Sequence, residues 1–181
     1  MDAPSETILA HVMPELARRV RLVSDALATQ NIIIRVTQGM RTFAEQESLW
    51  LKGRDVNGNI IDHRAVVTNA RPGFSYHNYG LAVDVVPFTN AAQSPIRPDW
   101  NIHHPAWQAI VNAAHMQGLT TGATWRTFPD WPHLQLTDPF PAGAPTTELR
   151  TYYANNDVKP LWRAITSYLE VTNGNQGNQA G

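Results

Sequence analysis

The chain contains no cysteine, so a disulfide scaffold, a thiolate metal site and a cysteine nucleophile are all excluded. Any metal ion must be held by His, Asp or Glu, and seven histidines keep that route open. Charge of one sign is also lacking. Fourteen Lys and Arg stand against 15 Asp and Glu, a formal net charge of −1, with no Lys/Arg cluster to serve as a nucleic-acid footprint. No apolar run approaches the ~18 residues of a membrane helix. The start, Met1-Asp2-Ala3-Pro4-Ser5-Glu6, has no basic segment leading into an apolar one. The expectation is a chain synthesised in the cytoplasm without a signal peptide, with no nucleic-acid partner and no stable membrane insertion.

What is present is a length of 181 residues, 43% hydrophobic and 16% charged, which suits one globular domain rather than two. Ile8, Leu9, Val12 and Met13 sit at helical spacing. Pro14 then fits the first turn of a second helix carrying Leu16, Val20, Val23, Ala26 and Leu27 on one face, with Arg18, Arg19 and Arg21 largely off it as a solvated surface. Asn31 to Thr37 reads as a strand and Phe43 to Leu51 as a helix. Between them and the next strand lies a turn-rich excursion in which Asn57-Gly58 suits the two positive φ angles of a tight hairpin. Leu81 to Phe88 is the clearest strand, ended by Pro87. His104-Pro105 opens a helix that Gly118 closes, and Trp125 to Leu136 follows as turn plus strand.

Asp84 lies inside Leu81-Ala82-Val83-Asp84-Val85-Val86, where apolar neighbours on both sides predict burial, and a desolvated carboxylate there requires a partner. An arginine or backbone donors would serve as well as a metal. Upstream, Ser75-Tyr76-His77-Asn78-Tyr79-Gly80 places an imidazole in a loop. Their odd spacing would put His77 and Asp84 on opposite faces of a straight strand, but Gly80 allows the bend that swings His77 back over Asp84. Downstream, Asp130-Trp131-Pro132-His133-Leu134-Gln135-Leu136 alternates so that His133 and Gln135 face one side. Two imidazoles and one carboxylate around zinc leave a fourth position for water, the catalytic pattern of coordination. Asp130 is then a base candidate, or simply a turn cap before Pro132. Trp125 and Trp131 flank it and could line a groove. His103 and His104 precede a helix start and suit capping, His115 suits a helix C-terminus, and His11 and His63 have no partner motif.

Ser75-x-His77-x-x-Gly80-x-Ala82-x-Asp84 followed by Asp130-x-Pro132-His133 resembles the LAS group of zinc peptidases, named for lysostaphin, D-Ala-D-Ala enzymes and sonic hedgehog. Within that group the chain is most similar to the L-alanyl-D-glutamate endopeptidases of phage endolysins and bacterial cell-wall hydrolases. Thr37-Gln38-Gly39-Met40-Arg41-Thr42 with Ala44-Glu45-Gln46, Lys52-Gly53-Arg54 and Val67-Thr68-Asn69-Ala70 match in the family's order, so that the resemblance spans about Leu16 to Leu136. It implies His77, Asp84 and His133 as zinc ligands, Asp130 as acid/base and Arg41 as the residue that steadies substrate or oxyanion. Ser75 and Gln46 are possible supports.

The fold this implies is α+β, a small antiparallel sheet carrying the zinc site and flanked by helices. The substrate is the peptide stem of peptidoglycan, cut by a monomer acting on the cell wall, after holin-type release if phage-encoded. The alternatives are a D-alanyl-D-alanine carboxypeptidase or dipeptidase, or a wall-binding module that keeps the zinc fold without hydrolysis. Asp55 to Val66 is longer than usual for the family. The expected organisation is a catalytic domain over 1–140, helices over 141–172 docked on it (Thr146 to Ala154 and Pro160 to Val171), and a disordered tail over 173–181.

Overall fold

Asp2 accepts a hydrogen bond from the Ser5 amide at 3.1 Å and so caps α1 (Ala3–Leu9), the first element of the computed structural model. The structure describes residues 1–88, 97–140 and 142–177, with side chains through 171. By its contacts the chain divides into two units, Met1–Thr137 and Asp138–Gly181.

In the first unit, α2 (Pro14–Ala28) starts on its proline and buries Leu16, Val20, Val23 and Leu27 completely, the stripe expected of its spacing except that Ala26 is exposed and Ala17 is buried in its place. Burying each such side chain is worth about 1.5–3 kcal/mol. β1 (Ile33–Gln38) follows, then α3 (Phe43–Trp50), which carries a capping box in which Thr42 and Glu45 bond each other's backbone amide. β2 (Ala82–Phe88), α4 (Pro105–Met116), β3 (Leu119–Thr121) and β4 (His133–Leu136) complete the unit. Among the described residues the four strands form one antiparallel sheet in the order β1-β2-β4-β3. The α+β architecture is therefore as expected, and no helix among the described residues is long and apolar enough to cross a membrane.

Several local expectations need correction. Pro87 does not end β2 but lies within it, opposite Ile34. The amide of Val85 bonds the Pro132 carbonyl, so alternation turns the Pro87 nitrogen to the β4 side, beyond the last β4 pairing. No ladder bond is lost there, and the Pro87 carbonyl accepts from the Asp99 amide at 2.8 Å. Asn57-Gly58 does not adopt two positive φ angles: Gly58 does, at +88°, but Asn57 does not. The Asp55 carboxylate accepts from the amides of both Asn57 and Asn59 at 2.9 Å and holds the turn instead. Arg19 is not merely a solvated arginine of α2. Its Nε donates to Glu15 at 2.8 Å, and its Nη1 donates to the carbonyls of Gln117 and Gly118 at 3.2 and 2.9 Å, closing the C-terminus of α4. Arg18 and Arg21 do lie on the surface, paired with Glu15 and Glu6.

The second unit contains α5 (Thr147–Tyr153), capped by Thr146, and α6 (Lys159–Gly177). Phe140, Val158, Leu161 and Ile165 are its buried apolar residues. α6 runs beyond the Pro160 to Val171 stretch that its apolar pattern suggests, through Gly177. Once a helix is nucleated each further residue adds a bond without needing an apolar anchor. The rest of the expected tail, 178–181, lies outside the described residues.

Candidate metal centre

The sheet register makes the first pair. Asp84 of β2 stands directly opposite His133 of β4, and opposite Gln38 of β1, where the β1 register shifts between Val36 and Gln38. Directly paired residues on neighbouring strands present their side chains to the same face, about 5 Å apart at Cβ. The alternation along β4 likewise puts Gln135 beside His133.

His77 reaches that face from a single 3₁₀ turn, Tyr76–Tyr79, that ends on Gly80 at φ +64°. A side chain at that φ would be strained, so glycine permits the reversal. The turn is held on several sides. The Leu81 amide donates to the Tyr76 carbonyl at 3.0 Å, the Met13 amide to the Gly80 carbonyl at 2.9 Å, and the Arg41 amide to the His77 carbonyl at 2.9 Å. Asn78, buried, accepts from the Gly73 amide and donates to the carbonyls of Arg41 and Thr42.

The three side chains converge. His77 Nε2 lies 3.3 Å and His133 Nδ1 3.5 Å from Asp84 Oδ1, and the two ring nitrogens are 3.2 Å apart. Both outer nitrogens are committed. His77 Nδ1 faces the Gly39 carbonyl at 2.8 Å, and because a carbonyl only accepts, that nitrogen carries the proton. His133 Nε2 likewise donates to Gln135 Oε1 at 2.9 Å. In these tautomers two lone pairs and a carboxylate oxygen point at one another with no proton between them, and Asp84 Oδ1 is buried without a hydrogen-bond partner. Three ligand atoms within 4.8 Å of one another, each imidazole oriented by an outer hydrogen bond, fit a divalent cation with N/O ligands such as zinc.

The three groups also shift one another's ionisation. Burial acts to raise the Asp84 pKa, but His77 and His133 outweigh it and hold the carboxyl well below the usual carboxylate range. Burial acts to lower the His133 pKa, and Asp84, with help from Gln135 and Asp130, turns the net shift upward.

These groups open on a cavity of about 560 Å³ that is also lined by Arg41, Ser75 and Asp130. Arg41 Nη2 lies 3.6 Å from Asp84 Oδ2 and Nη1 donates to Gln46 Oε1 at 2.7 Å, while Nε is buried without a partner. Burial lowers the Arg41 pKa, and Asp84, Glu45 and Asp130 partly counter it. Gln46 is fully buried in α3 and donates through Nε2 to the Ala70 carbonyl at 2.8 Å, tying Arg41 to the cleft wall formed by Val67, Thr68, Asn69 and Ala70. Asp130 is drawn to the site by its amide, which donates to the Gly122 carbonyl at 2.9 Å, and its carbonyl accepts from the His133 amide. Its own carboxyl pKa is raised, chiefly by burial and then by Asp84, against the pull of His133, His77 and Arg41.

His77, Asp84, His133, Asp130, Arg41 and Ser75 thus line one cleft, with Gln46 directly behind Arg41. Trp131 does not line it, although Trp125 does: its ring lies 4.9 Å from the His133 ring. Sequence reasoning passed over Leu49, Phe74, Trp100, Thr127 and Phe128 in the lining, and the Gly39 carbonyl behind His77. Only the tertiary fold brings them there. His104 caps α4, its Nδ1 accepting from the Ala106 amide at 3.1 Å, as its place before Pro105 suggests.

Comparison with known proteins bears on this cleft. A family model described as D-alanyl-D-alanine carboxypeptidase matches residues 68–136, the stretch that contains all three clustered ligands. The chain is 34% identical over 143 residues to the peptidoglycan L-alanyl-D-glutamate endopeptidase CwlK of Bacillus subtilis (strain 168), covering 75% of this chain and 77% of that protein. The crystal structure of the L-Ala D-Glu endopeptidase ChiX of Serratia marcescens superposes with a TM-score of 0.51 at 28% identity, over 76% of this chain and 90% of that one.

Proposed function

Since the chain belongs to the M15 peptidases, the D-alanyl-D-alanine carboxypeptidase family, we propose that it is a zinc-dependent endopeptidase cutting the L-alanyl–D-glutamate bond of the peptidoglycan stem. The observation that carries this reading is the set of three unprotonated ligand atoms of His77, Asp84 and His133, facing one another in a cleft that also holds Asp130 and Arg41. The choice of bond is supported by the likeness to two endopeptidases named for it.

A zinc ion held by His77 Nε2, Asp84 and His133 Nδ1 would supply Lewis acidity, polarising a carbonyl and acidifying water towards a pKa of ~7. The chain's own residues do the rest. Asp130, its carboxyl pKa raised by burial, takes the proton of the attacking water and passes it to the leaving amine of D-glutamate. Arg41 lines the cleft beside the ligands and sets its guanidinium charge against the oxygen on which negative charge develops. Gln46 and Asp84 hold the guanidinium in place, so no reorganisation is needed as charge appears.

The family description itself favours a second reading, a carboxypeptidase removing terminal D-alanine. A zinc-fold wall-binding module without hydrolysis is opposed by the presence of Asp130 in the cleft. Digestion of a defined muropeptide, followed by mass spectrometry of the products, separates the readings. The endopeptidase releases a fragment with a new D-glutamyl amino terminus, the carboxypeptidase releases free D-alanine, and a binding module releases nothing. Such a substrate places the work of the enzyme at the cell wall, in the setting of an endolysin or of a bacterial wall hydrolase.

A further inference from the structure

Two tryptophans on the wall of the cleft stay open to water, Trp125 at 37% and Trp100 at 58% exposure, although neighbouring Trp107 is fully buried. Both stand on anchored backbone, and each ring lies against another ring. Trp125 donates its amide to the Gly122 carbonyl at 3.1 Å and sets its ring against His133, tilted by 46°. Trp100 follows Asp99, whose amide is bonded to the Pro87 carbonyl and whose Oδ1 accepts from the Asn101 amide at 2.9 Å. Its ring lies 6.4 Å from that of Trp107. Two large apolar faces thus stand together at one cleft, placed there by the backbone before any ligand arrives, which lowers the ordering cost of binding.

The chemistry of the substrate says what meets them, and this step rests on the endopeptidase reading. In peptidoglycan the nitrogen of L-alanine is acylated by the lactyl ether of a muramyl sugar. From the scissile carbonyl carbon to the ring carbon that bears this ether is a path of six bonds, the length of two residues, or roughly 7 Å when extended. With the scissile bond at the ligand cluster, the sugar ring must therefore lie within the cleft or at its mouth. Trp125, one ring away from His133, is inside that reach. A pyranose has a face of C–H groups that packs on the electron-rich face of an indole, while its hydroxyl and acetamide edges stay towards water.

We infer that Trp100 and Trp125 form the subsite for the N-acetylmuramyl sugar on the amino side of the scissile bond. The enzyme therefore selects the glycan-attached stem over the free peptide.

The test compares kcat/KM of the zinc-loaded full chain on an N-acetylmuramyl tetrapeptide and on the same tetrapeptide without the sugar. The subsite gives the wild-type protein a preference for the sugar-bearing substrate of about tenfold. Trp100→Ala, a residue with no contact to the metal ligands among those described, brings that ratio close to one, and Trp100→Phe retains most of it. A wild-type ratio near one, or a ratio that Trp100→Ala leaves unchanged, overturns the inference. If neither substrate is cut at the L-alanyl–D-glutamate bond, the endopeptidase reading has failed instead. The platform is then judged by calorimetric titration with N-acetylmuramyl-L-alanine, which must bind several-fold more weakly to Trp100→Ala than to the wild type. Equal binding to both proteins would overturn the subsite.

Discussion

Arg41 Nη1 donates to Gln46 Oε1 at 2.7 Å, and Gln46, with no solvent exposure, hands its own amide hydrogen on to the Ala70 carbonyl. One side chain of α3 therefore holds both Arg41 and the cleft wall over 67–70. Gln46→Leu keeps the volume but leaves Nη1 and the Ala70 carbonyl unpaired in a buried place, at a cost of about 1–3 kcal/mol for each group. The expected outcome is a lowered melting temperature and a fall in kcat/KM with zinc content unchanged. Loss of zinc in this variant would show that Gln46 acts on the ligands rather than on Arg41.

Asp130→Asn removes the proton acceptor while keeping the shape of the turn before Pro132. Turnover should drop by roughly 10²- to 10⁴-fold, the usual contribution of a general base, with zinc stoichiometry and fold retained. Steady-state kinetics beside elemental analysis checks both halves. Activity near that of the wild type would remove Asp130 from the mechanism.

Gly122 is a packing constraint on the same turn. A Cβ there would lie 2.5 Å from the Asp130 carbonyl oxygen and 3.1 Å from His133 Cβ, and neither neighbour is a flexible side-chain end. Gly122→Ala must therefore push Asp130 and His133 apart from their partners, an overpacking cost of about 1–3 kcal/mol. Both thermal stability and zinc affinity should fall. A variant that binds zinc as the wild type does would mean that the turn yields more easily than its backbone contacts imply.

Much of the site is legible in the sequence because its geometry is local or strictly periodic. The reversal at Gly80 and the pairing of His133 with Gln135 follow from spacing and strand alternation, Asp84 is half-buried with Oδ1 enclosed rather than buried outright, and the doubled motif joins the two segments. What could not be read depends on contacts made across the fold. Nothing near Gly39 marks its carbonyl as the acceptor for His77, since that contact exists only once β1 and the 3₁₀ turn are packed together. The position of Trp100 depends in the same way on the bond from Asp99 to Pro87, and Pro87 itself looks like a strand end until β4 proves too short to need its amide. β3, three residues long, has too little pattern to announce itself. Arg19 looks like a surface charge because the carbonyls it closes lie about a hundred residues away in α4.

Glu15 gives the fold a dependence on pH separate from catalysis. Its hydrogen bond from Arg18, and then that from Arg19, outweigh the effect of burial and depress its pKa from 4.5 to about 2. A carboxyl whose folded pKa is depressed contributes stability above its unfolded pKa, and that contribution is lost as pH falls through the folded value. The melting temperature of Glu15→Gln should thus lie below that of the wild type at pH 7, with the gap closing between pH 4.5 and about 2. Thermal scans across that window decide it, and a gap that stays constant would mean that the pair with Arg18 and Arg19 adds nothing to the native state.

If one zinc ion, held by His77, Asp84 and His133, enables hydrolysis of the L-alanyl–D-glutamate bond, cleavage must follow zinc occupancy. The most direct measurement is a titration of zinc into chelator-stripped protein, with the D-glutamyl product quantified by mass spectrometry at each step. Cleavage should rise linearly, level off at one zinc per chain, and be absent at every zinc concentration in His133→Ala. Product formed by the stripped protein, saturation at a different stoichiometry, or release of D-alanine in place of the D-glutamyl fragment would contradict it.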